Sequence, residues 1–281
     1  MSWVTALTAL YDNNAPWAGE EVLWSRGEKA YPLVLAPISH TVVQARIELT
    51  LGPEGELLEL RTLGKEESTK TLAPVTEDAL SRTSTTVAPY PLFDGLKYLA
   101  GDFLDVVAID MEPPKKAQKW KDHFEECFSK YSSLLGDWCS SSWSHPKVCA
   151  VYQYLSKKTL MRDLMEGGVV SVEENGTVSL QQKINGVELP KVVVRFRVRM
   201  PSKATPAQIL NDQDHTFDSA LWLDKTVHRS FRDYYASLPA VEDLCYLSGK
   251  ITRVSSLHPK KLRNDGDGTK LISANDDENF T

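Results

Sequence analysis

The run Arg195-Phe196-Arg197-Val198-Arg199-Met200 carries the sharpest chemical pattern in the chain. On a strand, successive side chains point to opposite faces, so the arginines project together while Phe196, Val198 and Met200 face a core. Guanidinium groups in a row suit phosphate oxygens, which they meet by forked hydrogen bonding as well as by charge. The same spacing also fits a solvated sheet face whose arginines pair with carboxylates on a neighbouring strand. A second pattern runs from Lys65 through Lys70 to Arg82-Thr83-Ser84-Thr85-Thr86. Its hydroxyls and cations can meet phosphates or base edges, although Glu66, Glu67, Glu77 and Asp78 dilute it. The stretch holding Lys250, Arg253, His258, Lys260, Lys261, Arg263 and Lys270 is locally basic, and contributes to binding only if it shares a face with the arginine rail.

Other chemistry is weaker. His123 and Cys127 are four apart on one expected helix, and His145 and Cys149 four apart near the start of the next. Facing each other across a hairpin they would make a tetrahedral zinc set, but cysteine is commonly buried and neither pair has CxxC spacing, so no metal is assigned. There is no GxSxG elbow, HExxH helix or Walker-type loop, and Asp265-Gly266-Asp267-Gly268-Thr269-Lys270 fits neither a phosphate cradle nor a calcium loop. No cofactor and no catalytic residue are assigned, and a binding protein is favoured over an enzyme. A metal-dependent nuclease would need a carboxylate cluster that the sequence does not assemble.

With 42% hydrophobic and 25% charged residues, the 281-residue chain reads as an ordinary globular protein and not as a collagen, a disordered tail or a disulfide scaffold. Its net charge of −6 argues against a small basic nucleic-acid module, so any nucleic-acid contact has to be a local patch. The N-terminus lacks a signal-peptide pattern, and no apolar run approaches the roughly 20 residues of a membrane span. Four cysteines are too few for a secreted framework, which makes a reducing cytoplasm the expected compartment and a membrane partner unexpected.

The elements that must position these residues alternate in type. A short helix is expected over 3–11. Strands follow over 31–35 and 41–51, and Gly52-Pro53-Glu54-Gly55-Glu56 turns the latter back through 57–63. A long polar loop is expected over 65–88, then an apolar segment over 96–109. From Pro114, Trp120, Phe124, Cys127, Phe128 and Tyr131 recur at helical spacing, and a second helix from Pro146 completes an αα-hairpin. Strands return over 169–172, 177–183 and 192–200, with Asn175-Gly176 and Asn185-Gly186 as hairpin turns, before a helix over 217–235. The expected fold class is α+β: mixed, mainly antiparallel sheet regions with an inserted helical hairpin. The expected organisation is an N-terminal sheet region over 1–112, a helical insertion over 113–166, and a second sheet region over 167–281 with a long helix and a basic end.

Several segments, taken in order, resemble the large subunit of the type I-C CRISPR surveillance complex, Cascade. They are the opening Trp3-Val4-Thr5-Ala6-Leu7-Thr8-Ala9-Leu10-Tyr11, then Arg82-Thr83-Ser84 with Pro89-Tyr90-Pro91-Leu92-Phe93-Asp94 and Tyr98-Leu99-Ala100-Gly101. Leu244-Cys245-Tyr246-Leu247-Ser248-Gly249, His258-Pro259-Lys260 and Lys270-Leu271-Ile272-Ser273-Ala274-Asn275-Asp276 follow. The resemblance implies a non-catalytic subunit of an RNA-guided antiviral complex. Such a subunit reads the motif flanking the target (the PAM) in double-stranded DNA, helps open the duplex and sits near the 5′ end of the guide RNA. Other Cascade subunits and a nuclease-helicase are implied partners, and a phage anti-CRISPR protein is a further candidate. Members are longer, with a helical C-terminal region, so the chain reads as truncated before that domain. Residues 115–142 match no motif of the family, and no role is carried onto them.

Together these readings put Lys70, Arg82, Thr83, Ser84, Arg195, Arg197, Arg199, Lys260, Lys270 and Asn275 forward as DNA contacts. Asn275 is cast to pair with an adenine edge, and Lys260 and Lys270 to hold phosphate. The rival expectation is a protein-docking scaffold that never touches DNA.

Overall fold

The computed structural model describes residues 3–27, 29–64, 67, 69–82, 86–109, 112–202, 204–245 and 248–254. Helix α1 (Trp3–Asn14) gives way to a short 3-10 turn carrying Pro16. The antiparallel hairpin β1 (Glu21–Arg26) and β2 (Lys29–Val34) follows.

The organising strand is β3 (His40–Leu51). Its alternation buries Ala45, Ile47, Leu49 and Leu51 completely, which fixes the register because a slip of one residue would turn all of them outward. The C-terminal half of β3 pairs antiparallel with β4 (Leu57–Thr62) through the expected Gly52–Glu56 turn. Its N-terminal half pairs antiparallel with β5 (Lys70–Pro74).

Strand β5 corrects the expectation of an unbroken polar loop over 65–88. Thr71, Leu72 and Ala73 are buried against β3, and the polar run before them and Pro74 after them disguise so short a strand. Helix α2 (Glu77–Ser81) follows at once, its start capped by the Thr76 hydroxyl, which accepts from the Ala79 amide.

The apolar segment supplies α3 (Leu96–Leu99), α4 (Phe103–Val106) and β6 (Val107–Ala108). The expected αα-hairpin is α5 (Pro114–Ser140) and α6 (Pro146–Ser156), followed by α7 (Leu160–Glu166). Phe124, Cys127, Tyr131, Leu135 and Trp138 bury one stripe of α5 at steps of three and four residues.

The strands expected over 169–183 shrink. The Val169 and Val170 amides donate to the Leu164 carbonyl, so this apolar pair closes the end of α7 instead of entering a sheet. Only β7 (Val178–Ser179) forms, parallel to β6. Then β8 (Lys183–Ile184) and β9 (Val187–Glu188) make the expected hairpin about Asn185 and Gly186, whose φ values of 48° and 79° are those of a type I′ turn. Strand β10 (Val193–Val198) lies parallel to β3, in a four-stranded sheet with β4 and β5. With parallel contacts at β10–β3 and β6–β7 and antiparallel pairing between the other described strands, the sheets are mixed and mainly antiparallel, as expected.

After α8 (Pro206–Leu210), α9 (Lys225–Ser237) begins at its cap Asp224 and not at Phe217, leaving Leu221 and Trp222 in the preceding turns. The described chain ends with the hairpin β11 (Glu242–Cys245) and β12 (Lys250–Arg253). One apolar cluster joins β3, β10, α5, α6, α7 and α9, so the architecture is α+β around a shared core. No helix among the described residues is long and apolar enough to cross a membrane.

Candidate nucleic-acid interface

Opposite the apolar face of the central sheet lies a row of charges built by strand register. Arg195 on β10 faces Glu48 on β3, and Glu48 faces Arg61 on β4, so one carboxylate sits between arginines from both flanking strands. Arg195 donates through Nε and Nη2 to Glu48 Oε2 at 2.8 and 2.7 Å. Arg61 donates through Nε and Nη2 to Oε1 at 3.0 and 2.8 Å, and Arg197 Nε reaches the same oxygen at 3.1 Å. Burial alone would raise the Glu48 pKa. The Arg61 hydrogen bond and the Arg195 and Arg197 charges outweigh it and hold the carboxyl below its ordinary value.

Trp222 covers this row. Its ring lies 3.9 Å from the Arg195 guanidinium carbon and 4.9 Å from that of Arg197, both within cation–π range. The indole, the row, Lys70 and Thr71 from β5, and Gly19 line a cleft of about 480 Å³. Glu21 and Glu67 also line it. Among the described residues, the cations Arg61, Lys70, Arg195 and Arg197 are set against Glu21 and Glu67 of the lining and against Glu48 and Asp218 paired to the row, so the charges balance.

The members of the row are not equivalent. Arg195 is 5% exposed and held from two sides, so its expected role as a phosphate contact is corrected to that of a buried anchor. The strand alternation was expected, but the face it creates is roofed by Trp222 rather than open. Arg197 keeps partial exposure and also donates to the Ser219 hydroxyl at 3.2 Å. Arg61 is more open and pairs with Glu67, itself exposed. Arg199 projects beyond the row into a second cleft of about 540 Å³ with Met200 and Phe217, and its Nη2 donates to exposed Glu59 at 3.2 Å.

Arg82 is not part of the cleft lining. Its fork donates to Asp94 at 2.6 and 2.8 Å and to the Ala88 carbonyl at 3.0 Å, and its guanidinium carbon lies 4.1 Å from the Tyr90 ring centre and 4.9 Å from that of Tyr98. Asp94, 1% exposed, accepts further bonds from the Tyr90 and Gly95 amides. The donors expected to contact DNA are therefore committed elsewhere, and Arg82 is a staple across the chain between residues 82 and 94. Thr83, Ser84, Lys260, Lys270 and Asn275 lie outside the described residues.

The histidine–cysteine pairs do not assemble a metal set. His123 Nε2 lies 3.6 Å from Cys127 Sγ, whereas His145 Nε2 contacts the Thr226 hydroxyl at 3.1 Å. Among the described residues no three His, Cys, Asp or Glu side chains converge.

Sequence reasoning missed Glu48, Arg61 and Trp222. Extending the Gly52–Glu56 hairpin register would set Glu48 opposite Leu60; the register shift between Thr50 and Leu51 moves its partner to Arg61, so the pair could not be read from the turn.

Residues 19–281 match the family model of the CRISPR-associated protein Cas_Csd1, and the chain belongs to that family. It is thus a CRISPR-associated protein, consistent with work alongside other Cas components. No curated protein matches the chain.

Proposed function

We propose that this protein is the non-catalytic DNA-recognition subunit of a type I-C Cascade, working in the cytoplasm to read the flanking motif and assist duplex opening. Guide pairing reads most of a target in such complexes, so the protein needs only to read a few base pairs and grip phosphates. Double-stranded DNA, the guide RNA 5′ end, sister Cascade subunits and a nuclease-helicase are the partners of this reading.

The observation that carries it is the two-tier ion pairing of the row. Glu48 is a buried anchor that fixes the guanidinium groups, while Glu67 on Arg61 and Glu59 on Arg199 are exposed partners. Exposed pairs contribute on the order of 0–1 kcal/mol, so a phosphate displaces Glu67 or Glu59 at little cost. The cations then pass to the nucleic acid already positioned.

The test is duplex binding by the chain assembled with its partner subunits and guide RNA, across a salt series. Arg61→Ala, Lys70→Ala and Arg199→Ala should each lower the slope of log affinity against log salt by about 1, and Glu67→Gln should tighten binding. Unchanged slopes for all of them would favour the second reading, a protein-docking scaffold. That reading has its own support, because Arg195, Arg197 and Arg199 each already have a carboxylate partner. The non-catalytic assignment is tested separately, by a cleavage assay with magnesium or manganese.

A further inference from the structure

The corner of the α5–α6 hairpin places two thiols opposite each other. Gly136 on α5 and Tyr152 on α6 mark the register: a Cβ added at Gly136 would stand 3.1 Å from the Tyr152 hydroxyl, so the helices approach closely at this level. Moving three residues toward the corner along each antiparallel helix leads to Cys139 and Cys149. Cys149 Sγ lies 3.9 Å from the Cys139 carbonyl oxygen, and both thiols are free and partly exposed. Cys127, in contrast, is fully buried.

We propose that Cys139 and Cys149 form a reactive dithiol that exchanges with low-molecular-weight disulfides and closes into a reversible disulfide across the hairpin corner. Bridging needs Cα atoms within about 7 Å, and the close approach at Gly136 sets the helices for it. The roles of the two sulfurs are unequal. The neighbouring Cys139 side chain, with help from the His145 backbone at the start of α6, holds the Cys149 thiol down to about 7, against burial, while Cys149 in turn raises Cys139. Cys149 is therefore the attacking thiolate and Cys139 the resolving thiol.

The Cys149 thiolate attacks one sulfur of a small disulfide RSSR. The RS–SR bond breaks, one RS⁻ leaves with the electron pair, and a mixed disulfide remains on Cys149. Cys139 then gives its proton to solvent and attacks the Cys149 sulfur, expelling the second RS⁻. Both cysteines are oxidised, and the small disulfide is reduced to two thiols.

The test treats the folded full chain with oxidised glutathione and then digests it with trypsin without reduction. Cleavage at Lys130, Lys147 and Lys157 separates the two cysteines, so the bridge would hold peptide 131–147 to peptide 148–157. The expected results are this cross-linked pair, loss of two titratable thiols per chain, full recovery with dithiothreitol, and a rate that rises with pH as Cys149 ionises. Cys139→Ser should accumulate the glutathione adduct on Cys149, and Cys149→Ser should lose the fast reaction. A stable adduct on wild-type Cys149, or both thiols remaining unreacted, overturns the proposal. If Cys139→Ser does not fold, the wild-type digest alone decides.

Discussion

Glu48 and Arg195 stand directly opposite one another on adjacent parallel strands, joined at 2.7 Å with both side chains almost wholly buried. A lone carboxylate in that place would be costly to desolvate. Arg195 alone would be equally so, and the pair persists because Arg61, Arg197 and the Trp222 ring complete its surroundings.

Removing the carboxylate should therefore unfold more than it frees. Glu48→Ala leaves Arg195 buried and unpaired and should cost about 3–5 kcal/mol in urea denaturation. The Glu48 pKa is lowered on folding, so its contribution is complete above the unfolded carboxylate value and is lost as pH falls through the folded one. The wild type minus Glu48→Ala difference should shrink on acidification over that range. A difference independent of pH would mean that the carboxylate charge is not what stabilises the row.

A second pH dependence comes from two histidines in edge contact, His40 at the start of β3 and His228 on α9, with ring centres 4.9 Å apart. His40 Nδ1 donates to the Ile38 carbonyl at 2.9 Å and His228 Nε2 to the Trp222 carbonyl at 3.2 Å, which leaves the other nitrogen of each ring buried without a partner. Burial first, then the neighbouring His228 charge and Arg232, lowers His40 to about 3. Burial, with Lys225 and His215, lowers His228 to about 4. Both rings fold neutral, so this stability is present above about pH 6.5 and declines as pH falls toward the folded values. Each should contribute a slope that grows from about 0.7 kcal/mol per pH unit at pH 6.5 to about 1.4 near pH 5, and His40→Leu should flatten the urea-midpoint profile over that range.

Much of the frame around the row was legible. The Gly52–Glu56 turn, the Asn185-Gly186 turn and the apolar spacing of α5 are local signals, set by φ preferences and helical period. What was not legible is non-local. Nothing within 192–200 encodes that β10 runs parallel to β3, and Trp222 becomes the cover of the row only because α9 starts after it at Asp224. Alternation placed Arg195, Arg197 and Arg199 on one face, but what lies over a face depends on elements distant in sequence.

Gly55 tests how the hairpin turn docks on α6. Its φ is +69°, and an added Cβ would fall 2.7 Å from both the Ala150 carbonyl oxygen and the Tyr154 amide nitrogen. These are backbone atoms of a helix and cannot rotate away, while Lys157 Nζ holds the turn by donating to the Gly55 carbonyl at 2.6 Å. Gly55→Ala should cost more than about 2 kcal/mol, because overpacking adds to left-handed strain. Gly176→Ala is the control: its φ is +82° with nothing within 4 Å of an added Cβ, so it should cost only the strain, about 1 kcal/mol. Equal losses would show that the turn does not press on the helix.

Arg82 separates support of the fold from contact with DNA. Its bidentate bond to Asp94 matches a planar fork to a carboxylate, and a lysine supplies only a point charge at that place. Arg82→Ala should lower stability by about 3 kcal/mol, and Arg82→Lys should recover only part of that, as read by urea midpoint. Neither should change the salt slope of duplex binding by the assembled complex, because the guanidinium is already spent on Asp94, Ala88 and the Tyr90 ring. A slope lowered by about 1 in Arg82→Ala, with stability unchanged, would instead return Arg82 to the phosphate contacts and remove it from the frame.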